Sequence, residues 1–502
     1  MVFYPQGVDL RFHTLSLANG LIAAPLTALA GPVISHNVLF FAWTTFTGVF
    51  ASLWARGHGL SVYAAALVGV IAAFSPYRMN HLIHLNLFST ACVFCAFWLC
   101  DRMFNSQSKA AIFLFSLAWI WTALTDWYYA IFVGLYWLLR ILFSIKNKTG
   151  IKHSIQITLP TVVMGMLVYL YFFMGASQRP TIEADSVPVQ VSAFWSFDLL
   201  HLVTPTWALG EIIDISNESE FLIHPGLFIL LFGVWGAIRS KQIRSKIFLL
   251  VCAGLFFFLS LGPMLKFNQS PIEIAGFPLV SPTILYSVLP MLDSMRVFTR
   301  FAYVGFVILS IFAALNLERF INRLNTPQLR LTTWIAIAAL FLIETGYKYP
   351  AVEKYEPPIQ IAQDINAPIF LATYLDTRYS GLAMYHQTIH HQPIAIAEFS
   401  RLGGYKQQYL TKYRLFEAIS VKLFNEPYSN QINAFPGDLP LPIETMAVYS
   451  FRYDGAPNKI TIHWPDQSKQ IIKIVYIKEV LDPIQLPRYY INHPIDDIKG
   501  RI

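Results

Sequence analysis

The sequence predicts an all-α polytopic membrane domain of about ten membrane segments, followed by a small α/β or α+β extracytoplasmic domain. Three observations predict it. Of the 502 residues 55% are hydrophobic and 13% charged, with a mean hydropathy of +0.49, whereas soluble domains carry about 25% charged residues. Apolar runs near the ~20 residues that a hydrocarbon core of roughly 30 Å requires recur through the first two thirds of the chain. Beyond residue 350 the sequence turns to more charge, several prolines and alternating, β-rich runs.

The elements follow in chain order. Met1–Leu10 carries neither a basic n-region nor an apolar h-region. It reads as the middle of an extracytoplasmic loop, so a first helix is expected to precede it. Residues 1–32 then form the remnant of a first outer loop, with Ser16–Ala30 as an interfacial or re-entrant helix interrupted by Asn19-Gly20 and Pro25. Residues 33–349 form the polytopic domain. Its expected spans are Val33–Ala55, Leu60–Tyr77, Leu85–Cys100, Ser154–Met174, Leu222–Ile238, Ile247–Gly262, Phe301–Leu317 and Leu331–Tyr347. Ala110–Phe143 is too long for one span and is broken near Thr125-Asp126, so it counts as two short helices. Residues 350–502 make the outer domain, of ordinary domain size, with strand-like runs at Pro368–Tyr374, Lys459–Trp464 and Gln470–Val480.

Orientation follows from lysine and arginine, because short loops rich in them stay cytoplasmic. Those loops are Ile145–His153, Arg239–Lys246 and Glu318–Arg330. Gly175–Phe221 and Pro263–Arg300, which hold most of the acidic residues of the polytopic domain, fall outside, as do the N-terminus and everything after Tyr349. The net charge of +7 is spread over these loops and the outer domain, which excludes a nucleic-acid partner and leaves membrane lipids. All four cysteines, Cys92, Cys95, Cys100 and Cys252, fall in expected spans, so no disulfide framework is implied. Cys92 and Cys95 read as small packing residues.

Polar groups at membrane depth are costly and often mark function. Arg78, His81 and His84 recur at i, i+3 and i+6 just outside the second span. They can grip a phosphate, with the arginine as bidentate partner, or anchor a helix end at the head groups. Zinc is disfavoured there, since no cysteine or carboxylate is near in sequence. Arg296 and Arg300, four apart on the expected outer side, run against the positive-inside tendency and call for an anion; Asp293 or lipid phosphate is the simpler partner. Asp126 sits at the apex of the broken helix pair, where it either lines a site or holds the loop by hydrogen bonds. Asp9 is the only carboxylate of the opening segment, and a turn role after Pro5 and Gly7 suits it better than a general-base role does.

Several short motifs carry a resemblance: Tyr4-Pro5-Gln6-Gly7, Gly31-Pro32 with His36-Asn37, Phe74-Ser75-Pro76-Tyr77-Arg78 with His81, His84 and Asn86, and Pro290 with Arg296 and Arg300-Phe301. Together with Met384–Ile394 and Ser400-Arg401, they resemble the GT-C glycosyltransferases, and more closely bacterial members related to the polyprenyl-phosphate mannosyltransferases. The resemblance implies transfer of a sugar from a polyprenyl-phosphate carrier to an extracytoplasmic glycan, lipid or protein, at a bacterial inner (plasma) membrane. It implies Arg78, His81, His84, Arg296 and Arg300 as donor-phosphate ligands, with Tyr4, Asn86 and Asp126 lining the site. No cofactor is certain, and magnesium or manganese is compatible with the chemistry. The family's catalytic acid lies upstream of the Tyr-Pro-x-Gly string, where this sequence begins, so Asp9 is only a substitute candidate. Two rivals stay open, a non-catalytic scaffold or truncated pseudoenzyme of the same fold and a transporter of lipid-linked saccharides, although no internal repeat supports the latter. The sequence leaves the sugar, the acceptor and the oligomeric state undetermined.

Overall fold

The structure, a computed structural model, describes residues 16–82, 84–106, 108–145, 162–163, 165–166, 189–202, 204, 223–224, 226–239, 243–268, 270–288 and 295–345, with strands between 369 and 477. The chain divides into two compact units. One comprises Leu15–Arg179 and Ala184–Pro350; the other comprises Ala351–Ile502 with Met1–Thr14 and Pro180–Glu183.

The first unit is helical. Its helices are α1 (Leu17–Gly57), α2 (Val62–Ala73), α3 (Pro76–Asn80), α4 (Leu85–Phe88), α5 (Ala91–Ser106), α6 (Lys109–Thr125), α7 (Trp127–Ser144) and α8 (Val189–Phe194). They continue with α9 (Leu227–Ile238), α10 (Ile243–Ser260), α11 (Arg300–Ile321) and α12 (Pro327–Glu344). Among the described residues five helical stretches are long and apolar enough to cross a membrane: Leu17–Gly57, Val62–Asn80, Leu85–Ser106, Trp127–Ser144 and Arg300–Ile321. The chain is therefore an integral membrane protein. Lys109–Thr125, Leu227–Ile238 and Lys246–Ser260 are apolar but shorter. Most of the expected span Ser154–Met174 lies outside the described residues.

Breaks in these helices have local causes. Gly31, at φ +81 and ψ 168, kinks α1 before Pro32, so the expected interfacial segment Ser16–Ala30 runs directly into the first span. The expected span Leu60–Tyr77 stops at Phe74, and α3 restarts with Ser75 as N-cap, accepting from the Arg78 amide at 3.4 Å, and with Pro76 in its first turn. Asp126 leaves α6 in extended backbone, φ −159 and ψ 139, and starts α7, which is the break the sequence places near Thr125-Asp126.

Packing between helices depends on glycine where backbones approach. A Cβ on Gly69 of α2 would lie 2.5 Å from Gly48 O of α1, and one on Gly236 of α9 would lie 2.2 Å from Phe312 O of α11. Small residues at helix contacts allow such closeness in membranes. The core is aromatic: Tyr77 stacks on Tyr303 with ring centroids 4.8 Å apart, and Phe97 on Tyr136 at 4.2 Å. Helix α11 is buried along nearly its whole length at the centre of this core.

Two short hairpins, β1 (Lys266–Phe267) with β2 (Ser270–Pro271) and β3 (Glu273–Ile274) with β4 (Phe277–Pro278), lie between α10 and α11 in sequence. The second unit contains a five-stranded mixed sheet in the order β5-β7-β9-β8-β6, from Ile369–Phe370, Thr445–Tyr449, Lys469–Ile477, Lys459–His463 and Gln431–Asn433. Only β8 and β9 pair antiparallel in it; the parallel neighbours require crossover connections.

Candidate functional site

Helix breaks inside an apolar domain leave amide and carbonyl groups without intrahelical partners, and each must be satisfied from elsewhere. Two of the polar residues singled out in the sequence, Arg78 and Asp126, serve that need. Arg78 is buried: its Nε donates to Phe88 O at 2.9 Å and its Nη1 to Ala73 O at 2.7 Å. Ala73 and Phe88 are the last residues of α2 and α4, so one guanidinium closes two helix C-termini, where a cation suits the dipole. Thr44 Oγ1 accepts from both Nη atoms at 3.2 Å, and the Phe88 ring lies 3.5 Å beneath the guanidinium carbon. The donors expected to meet a substrate phosphate are thus committed inside the domain. His81 is also buried, its Nδ1 2.6 Å from Tyr77 O, whereas His84 is exposed, with its ring 6.0 Å from that of His81. The expected ladder of three residues facing one phosphate does not form.

Asp126 and Asn86 do come together. One carboxylate oxygen of Asp126 accepts from the Tyr128 amide at 2.8 Å and caps α7; the other accepts from Asn86 Nδ2 at 2.8 Å. The Tyr128 hydroxyl then accepts from the amides of Arg296 and Val297 at 3.0 and 2.9 Å. The Arg300 guanidinium sits 4.6 Å over the Tyr128 ring, and that of the exposed Arg296 sits 5.8 Å from the Trp195 ring. Trp195 O in turn accepts from the Thr299 amide at 3.1 Å. Asn86, Asp126, Arg296 and Arg300 therefore meet at one junction, between the start of α7, the start of α11 and the turn after α8. Tyr4, Asp9, Pro290, Asp293 and the Met384–Ile394 motif lie outside the described residues.

The N-terminus of α11 carries partial positive charge, and Arg296 and Arg300 lie around it, with the Asp126 carboxylate at the same junction. An arginine fork and a helix N-terminus are both groups that can receive a phosphate. Among the described residues no group of three or more His, Cys, Asp or Glu side chains converges to hold a metal ion.

Residues 21–343, more than half of the chain, match the family described as a domain of unknown function (DUF6311). The chain belongs to the DUF6311 family. No curated protein matches it. The matched span runs from α1 into α12 and contains every residue of the junction, while the five-stranded sheet lies beyond it.

Two polar clusters in this DUF6311 chain were not singled out by sequence. At the far end of α7 from Asp126, the buried Asp101 carboxylate meets His58 Nε2 at 3.1 Å and Arg140 Nε at 3.0 Å. It also accepts from the Tyr136 hydroxyl at 2.8 Å and Trp54 Nε1 at 3.2 Å, which ties α1, α5 and α7 together. Asp101 falls one residue past the expected span Leu85–Cys100, so the sequence reads it as loop. The second cluster surrounds the end of α8. Lys266 Nζ donates to Phe194 O, the last carbonyl of that helix, at 2.5 Å, and Asp198 Oδ1 accepts from the Leu200 and Asn268 amides at 2.9 and 3.1 Å. Burial pushes the Lys266 amine down to about 8 against the pull of Asp198, and pushes the His201 imidazole down to about 4. These residues are 72 and 70 positions apart where they bond, a pairing that no local spacing signals.

Proposed function

We propose that this chain is a membrane glycosyltransferase that takes a sugar from a polyprenyl-phosphate carrier and delivers it to an extracytoplasmic acceptor. The observation that carries the reading is the pair of arginines at the start of α11, with Arg296 exposed and Arg300 stacked on Tyr128. A lipid-linked donor keeps its phosphate at head-group depth, the depth expected of the end of a spanning helix. The cations there would stabilise the departing polyprenyl phosphate as charge develops on it. Asp126 acts in this reading as a positioning residue, because both of its carboxylate oxygens are engaged in holding α7 and Asn86. The motifs shared with GT-C glycosyltransferases supply the sugar-transfer part of the reading, and the arginine pair supplies the phosphate part.

A non-catalytic binder of lipid phosphate is the second reading. One observation favours it: Asp126, the carboxylate at the junction among the described residues, is held by a hydrogen bond on each oxygen in a helix-capping role, which accounts for its position without a catalytic part. The test uses the full chain in phosphatidylcholine vesicles with a radiolabelled polyprenyl-phosphate hexose and a bacterial envelope extract as the source of acceptor hydroxyls, following retention of the donor, release of unglycosylated carrier and movement of label into the extract. Replacing Arg296 with Ala removes charge-assisted hydrogen bonds of about 1.5–3 kcal/mol and is expected to weaken donor binding about tenfold or more. Unchanged binding in both Arg296→Ala and Arg300→Ala overturns the site. Binding without release of carrier selects the second reading.

A further inference from the structure

The segment between α10 and α11 has a fixed base and an apolar tip. At its base the Ser281 amide donates to Pro263 O at 2.9 Å and the Thr283 hydroxyl donates to Gly262 O. The two hairpins lock to each other through Leu265 N to Leu279 O at 3.1 Å, Ile272 N to Leu265 O at 2.8 Å and Leu279 N to Ile272 O at 2.7 Å. Lys266 and Asn268 fasten the first hairpin to Phe194 and Asp198. At the tip of the second, Ile274 faces Phe277 across a two-residue turn whose Ala275 and Gly276 both have positive φ, +55 and +81. That backbone is the tight hairpin turn matched to strand twist. It leaves Ile274 62% and Phe277 75% exposed, with Phe267 of the neighbouring hairpin 52% exposed.

An exposed apolar group of this kind marks a surface that meets lipid or protein. We propose that these hairpins are an interfacial wedge that inserts Ile274 and Phe277 into the head-group layer of the bilayer crossed by the neighbouring helices. Three features of the chain select lipid as the occupant. The segment starts where an apolar helix ends: Lys266 follows Ser260 of α10 by six residues, a reach of at most about 20 Å. The exposed apolar surface of α10, Leu250, Val251 and Phe258, runs to within two residues of that end, so the wedge continues a surface already turned toward lipid. Finally, no charged residue occurs from Ile274 to Val288, and the exposed Glu273 at the base of the same strand sets the depth at which the tip stops, with its carboxylate left in the head-group water. Burial of Phe277 and Ile274 in lipid returns apolar area that water otherwise disfavours at about 25 cal/mol per Å².

The wedge stands independently of the transferase reading, because its test needs no substrate. The full chain carrying Phe277→Cys is labelled with an environment-sensitive fluorophore and reconstituted in phosphatidylcholine vesicles with or without bromine in the acyl chains. Unsubstituted protein gives the background, since Cys92, Cys100 and Cys252 are buried and Cys95 is partly so. The expected result is a blue-shifted emission that loses intensity in brominated vesicles and is insensitive to aqueous iodide. Quenching by iodide alone places the tip in water and overturns the proposal. Protection from both quenchers means that another part of the protein, or a second copy, covers the tip, and overturns it equally. Ile274→Cys reads the same insertion from the opposite strand if Phe277→Cys does not yield folded protein.

Discussion

Replacing Arg78 with Met separates a structural arginine from a substrate ligand. The substitution keeps an unbranched apolar stem and deletes every donor of the fork. One buried carbonyl, Ala73 O, then loses its partner at the end of α2, while Phe88 O loses the guanidinium but keeps the Thr90 amide at 2.9 Å. An orphaned buried acceptor costs about 1–3 kcal/mol, and loss of the desolvated contact with the Phe88 ring adds about 2. Against this, the variant no longer buries a cation, a cost of about 2.5–3.5 kcal/mol at membrane depth. The balance is a net destabilisation on the order of 1 kcal/mol. Unfolding of the purified full chain by titrated SDS, followed by circular dichroism, reads it directly. Arg78→Lys is the informative companion, because it keeps the charge but not the planar fork. A phosphate ligand would tolerate lysine; a double helix cap would not. If either variant unfolds within about 0.5 kcal/mol of the parent protein, the range of an ordinary surface change, the capping argument is wrong.

Further predictions concern other parts of the fold. Asp101→Asn retains hydrogen bonding to Tyr136 and Trp54 but strips the charge that faces Arg140 and His58. It should cost about 3–5 kcal/mol in the same SDS titration, part of which Arg140→Gln recovers in the double variant. Gly236→Ala brings a methyl against Phe312 O and should lower stability, while Gly254→Ala in α10, with nothing within 4 Å, should be neutral or slightly stabilising by helix propensity. Burial lowers the His201 imidazole from its ordinary 6.5 to about 4 in the folded protein. The unfolded state therefore binds more protons between those values, and stability should fall as pH drops through that window. His201→Gln should flatten the slope in thermal unfolding measured from pH 7 to 4.

What the sequence discloses here follows from how local each cause is. The apolar runs and the β-rich tail need no partner to be read. The break at Asp126 was legible because a carboxylate inside an apolar run has few reasons to be there other than capping or chemistry. The role of Arg78 was not legible, because it depends on where two helices stop. The sequence shows Pro76, but it does not show that the span Leu85–Cys100 is interrupted at Ser89-Thr90, which leaves Phe88 O, ten residues beyond Arg78, open to the guanidinium. The spacing of Arg78, His81 and His84 is helical only on paper. Helix α3 ends at Asn80, so the residues turn to different surroundings. The junction itself depends on Tyr128, an aromatic that looks in sequence like one more belt residue and in the fold receives two amides from a segment 168 residues away.

A common rule accounts for several of the charged side chains inside the helical unit. Arg78 closes α2 and α4, and Asp126 opens α7. Glu344 accepts from the Leu227 amide at the start of α9, and from that of Phe228 at 3.4 Å. Glu318 accepts from the Ser61 amide ahead of α2 at 3.3 Å, and Lys266 closes α8. Each of these has the sign that the helix end requires: cations at carbonyl ends and carboxylates at amide ends. Arg296 and Arg300 place cations beside an amide end instead, as Lys109 does at the start of α6 and Lys246 does at the start of α10. What sets the start of α11 apart is therefore not the sign of its charge but its company: Arg300 lies over the Tyr128 ring, and Tyr128 in turn holds the Arg296 amide beside the Asp126 cap of α7.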